Sequence, residues 1–375
     1  MTDRVPYALG SGGSTYDARV STPSEVREAE QLPRFGALRP VPPAETLAML
    51  TGAAPGTDWT AARIGDDRGY PNGGLWRVEA DRRRPDGPAA VFVKRTGAAH
   101  LGTFRVWRLR ADPTDPQWWG REAEFYLSDL ATAGWTDEVR VARCHVDDHD
   151  SCRDLWLEEV AGIPTPLQVC RRAVAGLARW QVAHAASDHP WLSDDWIATH
   201  LGRYQLDNER TLAHPAWPAA IERGLDPAIR ELVAARVIDP AEIARLLAEF
   251  PQALTNHDFH NANIGTVGDQ VVIIDWSYVG WGPIGHDVGH LALSLDPAGS
   301  VDPAEAWHTL ESAYCEALAA TGWSGDLDLV RRSMVVSNQL RLGWWIDTVL
   351  NSADKITDAE LAVQSRILTF LGERR

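Results

Sequence analysis

Residues 256–276 read NHDFHNANIGTVGDQVVIIDW. Asp258 and Asn263 stand just before a short apolar run that turns at TVGDQ (266–270) and returns as VVIIDW (271–276). Two short strands about a Gly-Asp turn predict a hairpin. Such a hairpin brings Asn263 and Asp275 together, because each flanks one of the strands near the same end. Two hard oxygen ligands there suit Mg²⁺, which keeps most of its coordination for water and phosphate oxygens. Asp258 then sits beside the metal without ligating it, free to accept a proton from a substrate hydroxyl. Positioned hydroxyl, base and magnesium on a nucleotide are what phosphoryl transfer requires. Taken singly, each residue has a plainer reading: Asp258 and Asn263 cap turns, and Asp275 ends a strand. The combined spacing, together with the order of elements upstream, favours the chemical reading.

Working outward, AARIG (61–65) and LWRVEA (75–80) predict strands around a loop holding Gly65, Gly69, Gly73 and Gly74 with Pro71 and Asn72. DRRRPDG (81–87) reads as a hairpin turn and AAVFVKR (89–95) as a buried strand carrying Lys94. From about Trp118 the periodicity is helical, with Phe125, Tyr126 and Leu130 on one side. VRVARCHVDD (139–148) and RDLWLEEV (153–160) predict a strand pair. After Gly162 the composition turns helical, with PAIRELVAAR and PAEIARLLAEF each starting at a proline. Beyond Gly285 the chain is helical to its end. The predicted fold class is therefore α+β and bilobal. Residues 1–42 form an extension, 43–160 a small β-rich lobe and 161–375 a large helical lobe, with the hinge near 158–163.

The chain has 375 residues, suited to two lobes rather than one domain. Hydrophobic residues make up 45% and charged residues 23%, ordinary globular values. Asp and Glu number 52 against 36 Lys and Arg, a formal net charge of -16. Such a surface repels nucleic-acid phosphates and anionic membranes and attracts small cations. No run approaches the roughly 18 apolar residues of a membrane span. The N-terminus lacks the apolar core of a secretory signal, and Cys144, Cys152, Cys170 and Cys315 form no C-x-x-C pair. A reduced, cytoplasmic setting is expected.

The segment NHDFHNAN followed by IIDW resembles the aminoglycoside phosphotransferase and choline kinase-like group of the protein-kinase-like fold. Its catalytic loop usually reads H-G-D-x-x-x-x-N and its metal loop begins I-D. The resemblance makes Asp258 the catalytic aspartate, and Asn263 and Asp275 the metal ligands. Two positions depart: the group's first histidine is Asn256 here, and its usual glycine is His257. His260 matches a histidine common two residues after the catalytic aspartate. Asp287, shortly after the metal aspartate, matches one that opens a helix and braces the catalytic loop.

The same resemblance gives Lys94 a role. The chain has only two lysines, Lys94 and Lys355, yet one lies in an apolar strand. An ammonium rather than a guanidinium fork is what pairs with α- and β-phosphates in kinase-like lobes. The plainer alternative is a strand-end lysine reaching to water. The lysine needs a glutamate from the following helix. REAE (121–124) offers Glu122 and Glu124, and the family pattern, partner directly after arginine, selects Glu122. By position, Gly69 and Gly73 would cover the phosphates, although a hairpin turn explains that loop equally well. Glu158 and Val160 would contribute backbone groups to adenine at the hinge. His286 and His290 read as a core or surface pair rather than a metal site, lacking a third ligand. Trp276 and Trp281 flank the acceptor side, with packing their default.

The implied activity is an ATP- and Mg²⁺-dependent kinase acting on a hydroxyl of a small polar molecule, an aminoglycoside-like cation being favoured. Alternatives are a kinase for Ser or Thr of a biosynthetic precursor peptide, or a non-catalytic nucleotide-binding scaffold.

Overall fold

The computed structural model describes residues 44–52, 58–64, 74–84, 87–97, 110–149, 152–161, 165–203, 211–235, 245–295 and 301–374. Gly69, Gly73 and the extension 1–42 lie outside them.

The small lobe is an antiparallel five-stranded sheet ordered β1 (Trp59–Arg63), β2 (Gly74–Arg84), β3 (Gly87–Gly97), β6 (Cys152–Glu158) and β5 (Cys144–His149). Strand side chains alternate between faces, so Val91 and Val93 point one way and Phe92 and Lys94 the other. Val91 and Val93 bury against Trp76, Val78, Trp156 and helix α1 (Ala44–Thr51), through Leu47 and Leu50. Phe92 packs on the opposite face among Ala123, Leu155, Leu157 and Val272. Lys94, opposite Leu155 in register, projects from that face toward the large lobe.

Helix α2 (Arg121–Leu127) is shorter than the periodicity predicted. Ser128 takes an extended backbone, and its hydroxyl donates to the Phe125 carbonyl at 2.8 Å, a local bond that competes with continuation of the helix. A 3₁₀ turn at Asp129–Ala131 still buries Leu130.

The segment read as one strand over 139–148 is two. Val139–Val141 (β4) leaves the small lobe and pairs in parallel with Gln270–Ile273 (β9), while Cys144–His149 stays in the upper sheet. The reason is burial: Val139 and Val141 join the large apolar core, and Val139 packs so closely on Gly176 that a Cβ there would meet it at 2.6 Å. The predicted hairpin forms as Ile264–Val267 (β8) and β9. Its sheet is separate from the strands at 59–97, as the bilobal expectation requires. The remaining pair is β7 (Gln252–Thr255) with β10 (Gly280–Pro283).

The large lobe is built on α3 (Leu167–Ala183), the helix His286–Ser294 and the long helix Pro303–Ala320, followed by Leu327–Gln339, Leu342–Asn351 and Asp358–Glu373. An aromatic cluster joins the lobes. Phe125 stacks on Trp276 at 4.4 Å and 8°, and Trp180 contacts both Trp135 and Trp276. Trp276 is fully buried, so its role is packing. The four cysteines form no disulfide.

Candidate active site

The 3₁₀ turn Asn261–Asn263 leads directly into β8, and β9 ends two residues before Asp275. Ile264 pairs with Ile273, and the Ile274 N–H donates to the Asn263 carbonyl at 2.9 Å. Asn263 and Asp275 therefore flank the same end of the hairpin. The Asn263 amide nitrogen donates to the Asp258 carbonyl at 2.9 Å. That bond fixes the amide and turns its oxygen away from the Asp258 backbone.

Asp258 and Asp275 are tied together by Asn256. Its side-chain nitrogen donates to the Asp275 carbonyl at 2.8 Å, and its side-chain oxygen accepts from the Asp258 N–H at 3.0 Å. Asn256 is fully buried. The position where the sequence departs from the group it resembles thus holds a side chain able to brace both loops. Beneath it, Asp287 accepts the N–H groups of Asn256 at 2.7 Å and His257 at 3.0 Å, one on each carboxylate oxygen. Burial pushes the Asp287 carboxyl up to about 7, against the pull of those two donors.

Two non-glycine residues here have left-handed backbones, His257 at φ 66° and Asp275 at φ 57°. Each such residue stores about 1 kcal/mol or more, which surrounding contacts must offset. His257 meets that demand by burying its ring against Trp196, at 4.7 Å and 13°. Burial drives its pKa down to about 3, so it is a neutral packing residue where a glycine would have been strain-free.

Lys94 crosses from the small lobe into this centre. Its ammonium lies 2.7 Å from Glu122 Oε2, 3.0 Å from Asp275 Oδ1 and 2.8 Å from Ser277 Oγ. Glu124 faces elsewhere and pairs with Arg153 at 2.7 Å. Burial works to lower the Lys94 pKa, but the two carboxylates outweigh it and hold the ammonium above its ordinary value. Burial pushes the Glu122 carboxyl up, against the pull of Lys94. For Asp275 burial again works upward, yet Lys94 and Ser277 outweigh it and keep the carboxyl below its usual range. Arg121, one residue before Glu122, is fully buried and donates to the carbonyls of Pro113, Asp115, Trp191 and Val279. The Arg-Glu dipeptide thus pins the short helix to the large lobe and aims Glu122 at Lys94.

The two residues expected at the hinge lie in different settings. The Glu158 carboxylate is buried and taken up by Arg140 and by the side chain and N–H of Arg143. The Glu158 N–H donates to the Arg143 carbonyl at 3.1 Å, so that N–H is taken up within the small lobe. Val160 is half-buried in the apolar cluster with Phe92, Leu157, Val267 and Ile274, at the junction of the lobes.

Asn263 and Asp275 fit a magnesium ion. They supply hard oxygens, and Lys94 and Ser277 both engage Oδ1 of Asp275, leaving Oδ2 without a hydrogen bond among the described residues. Two such ligands suit a cation that takes the rest of its coordination from water and phosphate oxygens.

Two participants were not read from the sequence. Ser277 touches Lys94, Glu122 and Asp275. Its spacing, a hydroxyl two residues after an aspartate, is the signature of a local side-chain turn that could have flagged it. Arg341 is buried over the face of Trp196, and burial lowers its pKa to about 10 against the attraction of Asp258 and Asp287. No local pattern announces it, since only folding of the C-terminal helices brings it there.

Residues 153–324 match the family described as the phosphotransferase enzyme family. That stretch contains Asp258, Asn263, Asp275 and Asp287, while Lys94 and Glu122 lie outside it. The resemblance drawn from the motifs holds over these residues, and with it the expectation of a phosphotransferase enzyme. Among solved structures, an amicoumacin kinase in complex with AMP-PNP and Ca²⁺ is 13% identical, over 88% of this chain and 92% of that one, with a TM-score of 0.47. A choline/ethanolamine kinase family protein from Mesorhizobium loti is 16% identical, over 88% and 94%, also at 0.47. A thermostable mutant of an aminoglycoside phosphotransferase, in ternary complex with ADP and hygromycin B, is 14% identical over 88% and 99%, at 0.43. No curated protein matches the chain significantly.

Proposed function

We propose that this chain transfers the γ-phosphate of ATP to a hydroxyl of a small polar molecule. The observation that carries the reading is the meeting of Lys94 and Glu122 from the small lobe with Asp275 of the hairpin, and the tying of Asp275 to the Asp258 loop through Asn256. Asp258 has a partly open carboxylate, 34% exposed, with no cation closer than His260 Nε2 at 3.7 Å among the described ion pairs. It is placed to orient the acceptor hydroxyl and take its proton as the oxygen attacks phosphorus. Lys94 is placed to neutralise phosphate oxygens, and Glu122 keeps the ammonium aimed. Asn263 and Asp275 would hold Mg²⁺, which when bound neutralises charge on the nucleotide. Glu158 through its carbonyl and Val160 through its apolar side would receive the base, and Gly69 and Gly73 would cover the phosphates.

A cationic, aminoglycoside- or aminosugar-like acceptor is favoured by the net charge of -16. Not every acidic residue of the large lobe contributes to that pull. Asp302 caps the helix at Pro303, and Glu311 is engaged by Trp307 and Arg331. The test is ATP turnover against a panel of hydroxylated amines, sugars and peptides, with Asp258→Asn as control. The variant should keep nucleotide binding and lose at least about a hundredfold in turnover, the usual weight of a positioned base. Nucleotide binding with no turnover on any acceptor would support the scaffold instead.

A further inference from the structure

The Ser277 hydroxyl lies 2.6 Å from Asp275 Oδ1, 2.8 Å from the Lys94 ammonium and 3.1 Å from Glu122 Oε2. A hydroxyl has one proton to give and two lone pairs to receive with. Lys94 can only donate, so it fills a lone pair. The proton then goes to one of two carboxylates, and the shorter contact selects Asp275. The Ser277 N–H adds a longer approach to the same oxygen at 3.4 Å. Asp275 has a left-handed backbone, so its side-chain direction is not set by a regular strand and needs an outside hold.

We infer that Ser277 is a positioning residue, which pins Oδ1 of Asp275 so that Oδ2 faces the divalent metal. The inference rests on the phosphotransferase reading and deepens it. Lys94 also holds Oδ1. In that reading, however, Lys94 serves the phosphates, and a lysine shared between Asp275 and a nucleotide holds the carboxylate less firmly. The serine hydroxyl is independent of the nucleotide and belongs to the same loop as the carboxylate. Alanine would keep the backbone and remove the tie. Threonine would keep the hydroxyl.

The test is calorimetric affinity for ADP, with and without Mg²⁺, in wild type, Ser277→Ala and Ser277→Thr, with thermal melting to check folding. Partners that orient metal ligands typically carry ten- to a hundredfold in metal affinity. Ser277→Ala should therefore lose about tenfold of the magnesium-dependent gain in ADP affinity, while its metal-free affinity stays within about twofold. Ser277→Thr should recover most of the gain. With the magnesium-dependent gain present in wild type and undiminished in Ser277→Ala, the inference is overturned and the phosphotransferase reading stands. Equal weakening with and without metal, or a folded threonine variant no better than alanine, also overturns it. A wild-type chain whose ADP affinity ignores magnesium would remove the parent reading together with this one.

Discussion

Asn256 donates from its side-chain amide to the backbone carbonyl of Asp275 at 2.8 Å, across 19 residues of chain. Its amide oxygen meanwhile accepts the N–H of Asp258. One buried side chain thus sets the distance between the proposed base and the proposed metal ligand. A histidine stands there in the resembled family. An amide can donate and accept at once, so Asn256 bridges the two loops.

Asn256→Ala should leave the Asp275 carbonyl and the Asp258 N–H without this partner. A buried group so deprived costs about 1–3 kcal/mol. Urea unfolding should show a loss in that range, and turnover should fall more than nucleotide affinity, since the loop carrying Asp258 loosens. An alanine variant with wild-type stability and turnover would show that the bridge carries no weight.

Asp287→Asn tests the layer beneath. Both Asp287 oxygens accept backbone N–H groups, and an amide offers only one acceptor. Its NH₂ would face a donor, leaving one N–H unsatisfied for about 1–3 kcal/mol. The expected result is a lower unfolding midpoint with reduced turnover. A neutral substitution would mean that the carboxylate is not gripping the loop by both oxygens.

Lys94→Met should leave Glu122 buried beside Asp275 with no cation. Stranding one member of a buried pair typically costs about 3–5 kcal/mol. The double variant Lys94→Met with Glu122→Gln removes the more deeply buried of the two stranded charges and should regain part of that loss while remaining inactive. If the double variant is no more stable than the single, the destabilisation comes from lost packing of the lysine stem instead.

His260 supplies a pH test. Burial works to lower its pKa, but the Asp258 carboxylate 3.7 Å away outweighs that and raises it. A raised histidine pKa favours the folded state when protonated, so the contribution is complete below about 6.5 and fades as pH climbs through the folded value. The unfolding midpoints of wild type and His260→Gln should differ most near pH 5–6 and converge at high pH. The gap should stay under about 1 kcal/mol, because the pair is partly exposed. A gap that widens with pH contradicts the pairing.

The sequence by itself determined the order of elements, the hairpin that brackets Asn263 and Asp275, and the residue types the chemistry needs. Those are properties of local periodicity, turn residues and spacing, which survive without knowing what packs on what. The family resemblance selected Glu122 over Glu124, because Arg121 precedes it, and the structure shows that arginine seated on four carbonyls. Only the tertiary structure decided that Val139–Val141 would desert its neighbours for the hairpin sheet, since burial against α3 outweighs continuity of the strand. Only it decided that Glu158 would spend its carboxylate on Arg140 and Arg143, and that Ser277, Asn256 and Arg341 would converge on the site. Hydrogen bonds and burial between residues 15 to 183 positions apart have no signature in local sequence, because they exist only once the chain has closed around them.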